Sequence, residues 1–407
     1  MRKLQALILL PIIIFSCRDD DGPVRTVFSV SQSDIPDEVI VWVIVRNGES
    51  GELIDAKQVG SSKLDFETSK VKDGQKLSVS IVAISTWDVS DARVTIFNGV
   101  DVGSSWTLSE SDEQVIGYKC PQPGTYSLTI NNVPSLYAYG LSDKYGERTY
   151  GTFFENNAIT CKYAEFCDSP QLVTIDPGNG IEPRYTFIEN LGAGMPDVNL
   201  NYNDFKKFDK YLKFTFPSTQ HLYALVTTYE GDDPNDRSYV LYDNLLWGYE
   251  RKQASQINFG FLDRFARYRV QIDMQWYHFK SYGRPPESIE YAGPEDFTIT
   301  DRSVNNYAFT TSKEITYTLV RYLYSPSSGD PAGPSLFYDY FDPPGHTKHF
   351  DALTPELIDK YNLPVDKIKY DHSTFYLRYP YSDLIKSGFD PEAARRQDYQ
   401  AAWVNAN

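Results

Sequence analysis

Most of the chain reads as short apolar runs separated by turn signals. Runs at residues 39–46, 77–85, 93–97, 126–130, 222–228, 268–277 and 315–323 are rich in β-branched, leucine and aromatic side chains, the signature of strands with at least one buried face. Clusters such as Arg46, Asn47, Gly48 and Asp176, Pro177, Gly178 bound them, supplying residues that tolerate tight turns. Helical periodicity is nearly absent. One short helix is predicted at Thr354, with Pro355 in the first helical position, and a second in the tail at 391–404, where Ala393, Ala394, Tyr399 and Trp403 form one stripe. The pattern predicts an all-β chain with a short C-terminal helix.

Sliding the chain on itself by 98 residues sets Phe28, Ser29, Pro36, Gly48 and Glu49 on Tyr126, Ser127, Pro134, Gly146 and Glu147. In both copies a strand reaches a proline, a second strand follows, and a glycine turn closes the pair. A looser copy starts near Leu212, with Pro217 and Gly231, and another near Tyr307. Repeats of about 90–100 residues have the size of immunoglobulin-like sandwiches. The expected architecture is therefore tandem immunoglobulin-like β-sandwich modules at 28–125, 126–211 and 212–306, followed by a β-rich C-terminal module with a helical tail at 307–407.

The N-terminus departs from this pattern. Arg2 and Lys3 precede an apolar run at residues 4–15, interrupted only by Gln5 and Pro11. That run is too short to cross a hydrocarbon core of about 30 Å and reads as a secretory signal peptide. It ends in Ile14, Phe15, Ser16 and Cys17, which resembles a bacterial lipobox, and the resemblance implies cleavage before Cys17 and acylation of its thiol. Residues 1–16 are then the signal peptide and 17–27 a lipidated tether. Arg18, Asp19, Asp20, Asp21 and Gly22 follow. They resemble the surface-export signal of Bacteroidetes lipoproteins, although a solvated linker would use the same residue types.

The segment from Ser90 through Arg93, Val94, Phe97, Asn98 and Gly99, followed by Gly124, Thr125, Tyr126, Ser127, Leu128, Thr129 and Ile130, resembles the N-terminal sandwich of a family of Bacteroidetes lipoproteins. That family is often encoded beside TonB-dependent transporters. The resemblance covers about a quarter of the chain and rests on phrases common to many sandwiches. It implies a lipid-anchored outer-membrane location facing the cell exterior, and association with an outer-membrane protein complex.

Charge narrows the partners. The 407 residues carry 55 acidic and 39 basic side chains, net −16, and loss of Arg2 and Lys3 leaves 37 basic against 55 acidic, net −18. Such a chain lacks the basic footprint that neutralises phosphates, so no nucleic-acid partner is expected. Aromatic residues make up 15%, with 31 tyrosines and 23 phenylalanines, which suits pleated, half-buried surfaces.

Beyond Cys17, the cysteines are Cys120, Cys161 and Cys167, and an exported chain offers them an oxidising compartment. On one continuous strand Cys161 and Cys167 would stand about 20 Å apart, against a limit of about 7 Å for a bridge. They pair only if the chain turns back between them; otherwise Cys120 pairs with one of the two.

No Gly-x-Ser-x-Gly elbow, phosphate-binding glycine loop or His-Glu-x-x-His motif occurs in the sequence. Histidines stand at 221, 278, 346, 349 and 372, and His346 and His349 with Asp351 or His372 are the one spacing that resembles a metal site. Lys348 between them opposes a cation. Asp197, Asn199 and Asn201 fail the calcium-loop pattern because Tyr202 and Phe208 occupy its glycine and glutamate positions. The oxygen-rich 231–236 turn is of a kind that closes hairpins without metal. No catalytic group, metal or cofactor is assigned. Two aromatic clusters remain as candidate binding surfaces: Trp276, Tyr277 and Tyr282, then Tyr338 and Tyr340.

The expectation is a non-catalytic surface-exposed outer-membrane lipoprotein that binds a partner or ligand, either an outer-membrane protein complex or an extracellular glycan. The alternatives are a surface hydrolase acting on polysaccharide or peptide, and a structural cell-surface or fimbria-associated component.

Overall fold

A computed structural model describes residues 23–32, 38–85, 91–108, 124–147, 152–167, 170–178, 180–191, 197–217, 222–229, 239–244, 255–326, 334–346, 348–389 and 398–406. The chain is all-β, built of sandwiched sheets with, among the described residues, two short α-helices, Pro355–Tyr361 and Tyr381–Phe389. Cys17, Arg18, Asp19, Asp20, Asp21, Cys120, His221 and the 231–236 turn lie outside the described residues.

The organising element is a twelve-stranded sheet. From edge to edge its order is Val240–Asp243, Leu222–Tyr229, Arg267–Met274, Tyr277–Gly283, Tyr399–Ala406, Lys369–Tyr376, Tyr317–Tyr324, Ser335–Asp342, Asp91–Asp101, Lys76–Ser85, Val39–Asn47 and Leu53–Gln58. Neighbours are antiparallel except at one seam, where Ser335–Asp342 runs parallel to Asp91–Asp101. That seam joins the N-terminal strands to the C-terminal third in one hydrogen-bonded surface. The sheets therefore cross the divisions drawn from the repeat.

Alternation of side chains gives this sheet two faces with different fates. One face is covered along most of its length. Val226, Val270, Ile272, Phe279, Phe375 and Ala402 pack under the strand pair Lys210–Thr215 and Gln256–Phe261. Further along, Val94, Ile96, Val320, Tyr338 and Tyr340 pack under helix Pro355–Tyr361, with Ile299 and Phe309 of the hairpin Phe297–Asp301/Ala308–Thr311 alongside. The opposite face is covered at one end, where Val43, Val45, Val79 and Phe97 meet Phe28, Phe66 and Trp106 of a three-stranded sheet. Leu384, Ile385 and Phe389 of helix Tyr381–Phe389 extend that cover. Elsewhere this second face is half-exposed, as the strict alternation of half-buried and buried residues along Arg267–Met274 records.

A separate sandwich lies between these parts. Four strands (Thr152–Glu155, Ala158–Phe166, Gly124–Asn131, Val198–Asn201) face five (Gly146–Glu147, Ala138–Asp143, Gln171–Asp176, Arg184–Ile188, Lys206–Lys207). In this sandwich and in the first, the opening strand pairs in parallel with the closing one: Gly124–Asn131 with Val198–Asn201, and Arg25–Gln32 with Ser104–Leu108. Phe28 and Tyr126, superimposed by the repeat, are both buried in those opening strands. Cys161 is a buried thiol among Leu128, Ile159 and Ala164, whereas Cys167 is disulfide-bonded. The two do not bridge each other, because Cys161 lies within strand Ala158–Phe166 and Cys167 follows its end.

Two sequence expectations are corrected. The run at 268–277 is not one strand: it breaks after Met274, and Tyr277 already belongs to the return strand. The tail is not helical from Tyr399 on, since Tyr399–Ala406 is a strand inserted between Tyr277–Gly283 and Lys369–Tyr376; Ala393 and Ala394 of the predicted helix lie outside the described residues. Ala401, Ala402, Val404 and Ala406 are buried in it. Hydrogen-bond ladders on both sides outweigh alanine's helical preference, which amounts to less than about 1 kcal/mol per residue. The short C-terminal helix is Tyr381–Phe389.

Candidate functional site

The inserted tail strand sets up the most distinctive surface of the molecule. Register places Tyr223, Asp273, His278, Trp403, Tyr376 and Tyr317 side by side on six successive strands of the half-exposed face. The rings stack along this row. Centroids are 5.2 Å apart for His278 and Trp403, 5.8 Å for Trp403 and Tyr376, and 4.0 Å for Tyr376 and Tyr317. Phe341 and Phe97, stacked at 5.1 Å, continue the row to where the first sandwich covers it. Such pairs contribute about 0.5–1.5 kcal/mol each beyond area burial, so the row stiffens the sheet across its strands.

Polar side chains are held in fixed orientation beside the rings. Gln271 Nε2 donates to Asp273 Oδ2 (2.5 Å), and His278 Nδ1 donates to Asp273 Oδ1 (3.0 Å). Asn405 Nδ2 donates to His278 Nε2 (3.2 Å), and Thr374 Oγ1 donates to Asn405 Oδ1 (2.8 Å). These partners assign His278 to the Nδ1–H form, because a carboxylate only accepts. Partial desolvation pushes the Asp273 carboxyl up, but the hydrogen bonds from His278 and Gln271 win and hold it below the usual carboxylate value. Further along the face, Arg321 grips Asp339 through Nε (2.6 Å) and Nη2 (2.9 Å), a two-pronged pairing that fixes both groups. The result is an ordered polar surface interleaved with half-exposed rings, in which the His278 ring is held by Asp273 and Asn405.

The candidate rings from the sequence fare differently. Trp276 is half-buried in the turn before Tyr277, and its carbonyl accepts from Asn405 N (2.8 Å). Tyr277, Tyr282, Tyr338 and Tyr340 are all buried and form no binding surface. The sequence could not show which face of the sheet is covered: Tyr277, Tyr338 and Tyr340 lie on the covered one. Tyr277 lies between Phe214 and Tyr291, Tyr282 under Tyr229 and Arg267, and Tyr340 against His349. Burial raises the hydroxyls of Tyr277, Tyr338 and Tyr340 above their ordinary pKa. Sequence reading missed Trp403, Tyr376, Asn405 and Asp273. The alternation from Tyr399 to Ala406 was the available signal, masked by its alanines.

The C-terminal histidines divide. His349 Nε2 lies 2.7 Å from Asp342 Oδ2, and His346 Nε2 lies 4.0 Å from Asp342 Oδ1. Asn98 Nδ2 donates to Asp342 Oδ1 (2.7 Å), and His349 Nδ1 donates to the Val304 carbonyl (2.8 Å). The side chains of His349 and Asp342 are 0% and 1% exposed, which closes this pair to substrate. It pins the parallel seam. His372 is elsewhere, paired with Asp371. Among the described residues no group of histidine, cysteine and acidic side chains could hold a metal ion.

A groove of about 810 Å³ opens between the first sandwich and helix Tyr381–Phe389, with Trp106, Phe389 and Tyr381 in its lining and Lys76, Asp101 and His346 among its polar groups. Trp106 and Phe389 stack there at 3.9 Å, covering much of each other's faces. No protein-family model and no curated protein matches the chain.

Proposed function

We propose that this chain is a non-catalytic, lipid-anchored outer-membrane protein facing the cell exterior, and that it binds an extracellular glycan on the open face of its twelve-stranded sheet. The observation that carries the reading is the row His278, Trp403, Tyr376 with the oriented polar chain from Gln271 to Thr374 beside it. Sugars present apolar C–H faces and hydroxyls together, so a surface of rings and fixed donors and acceptors complements them. A protein-binding patch would be more apolar at its centre, and among the described residues the large exposed hydrophobics lie off this face. The anchor and the outward orientation rest on the lipobox-like Ser16–Cys17 and on Asp19 to Asp21.

The test is an array of extracellular polysaccharides probed with the chain and with Trp403→Ala. Retention of one class, weakened at least about tenfold by the substitution, is expected; a chain that retains no polysaccharide defeats the reading.

A second reading, a subunit of an outer-membrane complex, has its own observation. Phe153 and Tyr163, on adjacent strands of the middle sandwich, are 58% and 69% exposed, the kind of aromatic anchor that docks into a partner. Co-purification from solubilised outer membranes, compared with Phe153→Ser/Tyr163→Ser, tests it.

A further inference from the structure

We infer that the ligand of the open sheet face is an acidic glycan, a chain bearing uronic-acid carboxylates; this rests on the glycan reading above and adds the charge of the ligand to it. The observation behind it is a set of unpaired cations on one face of an acidic protein. The protein carries a net −16, yet on this face, beside the exposed Asp91, the central carboxylates Asp273, Asp339 and Asp371 are engaged and several cations are not. Asp339 is gripped by Arg321, and Asp273 is held by His278 and Gln271.

Arg93, Lys369, Lys280 and Arg269 project on the same face, as their pairing with Phe337, Leu323, Gln271 and Thr227 requires. None of the four has a carboxylate within ion-pair distance among the described residues. Two of them stand over rings: the Arg93 guanidinium lies 5.7 Å from the centre of Phe337, and Lys280 Nζ lies 5.8 Å from that of Trp403.

Spacing adds a second constraint. Arg93 and Arg269 lie on strands six positions apart in the sheet, about 29 Å across the strands, and their registers also set them about ten residues apart along the strands, so the line between them crosses the sheet obliquely. Cations spread over that length, with rings between them, match a repeating anionic polymer crossing the strands. They do not match one phosphate or one monosaccharide. Planar guanidinium groups pair with carboxylates through two parallel hydrogen bonds, and a cation resting on an aromatic ring keeps its outer side available.

Affinity electrophoresis of the full mature chain separates the possibilities. The gels contain polygalacturonate, alginate or glucuronoxylan, with methyl-esterified polygalacturonate and dextran as neutral counterparts and polyglutamate as a non-sugar polyanion. The expected result is retardation by at least one uronate polymer, weakened about tenfold by esterification and by added salt. Arg93→Gln/Lys280→Gln should lose most of the salt dependence while its thermal melt stays in place. Equal retardation by neutral and acidic forms overturns the charge inference and leaves the glycan reading intact. Retardation by polyglutamate as strong as by the uronates also overturns it, making the occupant an acidic polypeptide. Absence of retardation in every gel overturns both.

Discussion

Replacing Asp176 with asparagine should remove a pH-dependent weakness from the centre of the molecule. Asp176 ends strand Gln171–Asp176 and is buried against Tyr137 and Tyr242. Desolvation is the dominant influence on it. The Gly178 amide, donating to Oδ1 at 2.8 Å, and the Tyr242 hydroxyl offset only part of that, and the carboxyl is pushed up from 3.8 to about 7. The folded chain therefore holds a proton that the unfolded chain has released across this interval. Stability contributed by the protonated form is full below pH 3.8 and is lost as pH rises through about 7. At about 1.4 kcal/mol per pH unit, a shift of about three units corresponds to roughly 4 kcal/mol between the ends of the window. Asparagine keeps the oxygen that accepts from Gly178 and has nothing to ionise. Urea unfolding of Asp176→Asn and of the parent at pH 4.5, 6 and 8 is the assay. The parent should lose stability over this series, and the variant should lose several kcal/mol less and be the more stable of the two at pH 8. Equal slopes in the two proteins would refute the assignment of that dependence to Asp176.

Four further outcomes follow from the geometry. Asp342→Ala leaves His349 and Asn98 buried without their shared acceptor; a loss of about 3–5 kcal/mol is expected from denaturant unfolding, and an unchanged midpoint would remove the pair from the seam's support. Cys161 should react with a maleimide only after denaturation and without reductant, whereas Cys167 should need reductant first; peptide mapping distinguishes them. Cys17→Ala should abolish acylation, and neutralising Asp19, Asp20 and Asp21 should leave the chain acylated but shielded from protease on intact cells. Ala402→Asp places a charge beneath the sheet, where Ala402 packs in the core around Phe279 and Phe375; a destabilisation above about 3 kcal/mol, measured by thermal melts, is the expected result.

Much of the fold was legible because strands announce themselves locally. The runs at 39–46, 77–85, 126–130 and 222–228 correspond to strands Val39–Asn47, Lys76–Ser85, Gly124–Asn131 and Leu222–Tyr229 within two residues at each end. Burial on one face writes itself into residue type at the spacing of a strand, and turn residues mark where pairing stops. What could not be read was which strands become neighbours, and the site depends on that. Trp403 meets His278 and Tyr376 only because the last strand enters between two strands that are nearly a hundred residues apart in the chain. Its alanines, which favour a helix in isolation, are there because Ala401, Ala402 and Ala406 lie in close-packed surroundings. The same reasoning explains why the clusters around 277 and 338 misled. A dense run of aromatics marks a place with much area to bury, and Tyr277, Tyr338 and Tyr340 have that area buried on the face under the hairpin and helix. The rings that remain half-exposed are spread one to a strand, and rings arranged in that way form a cluster only after the sheet has assembled.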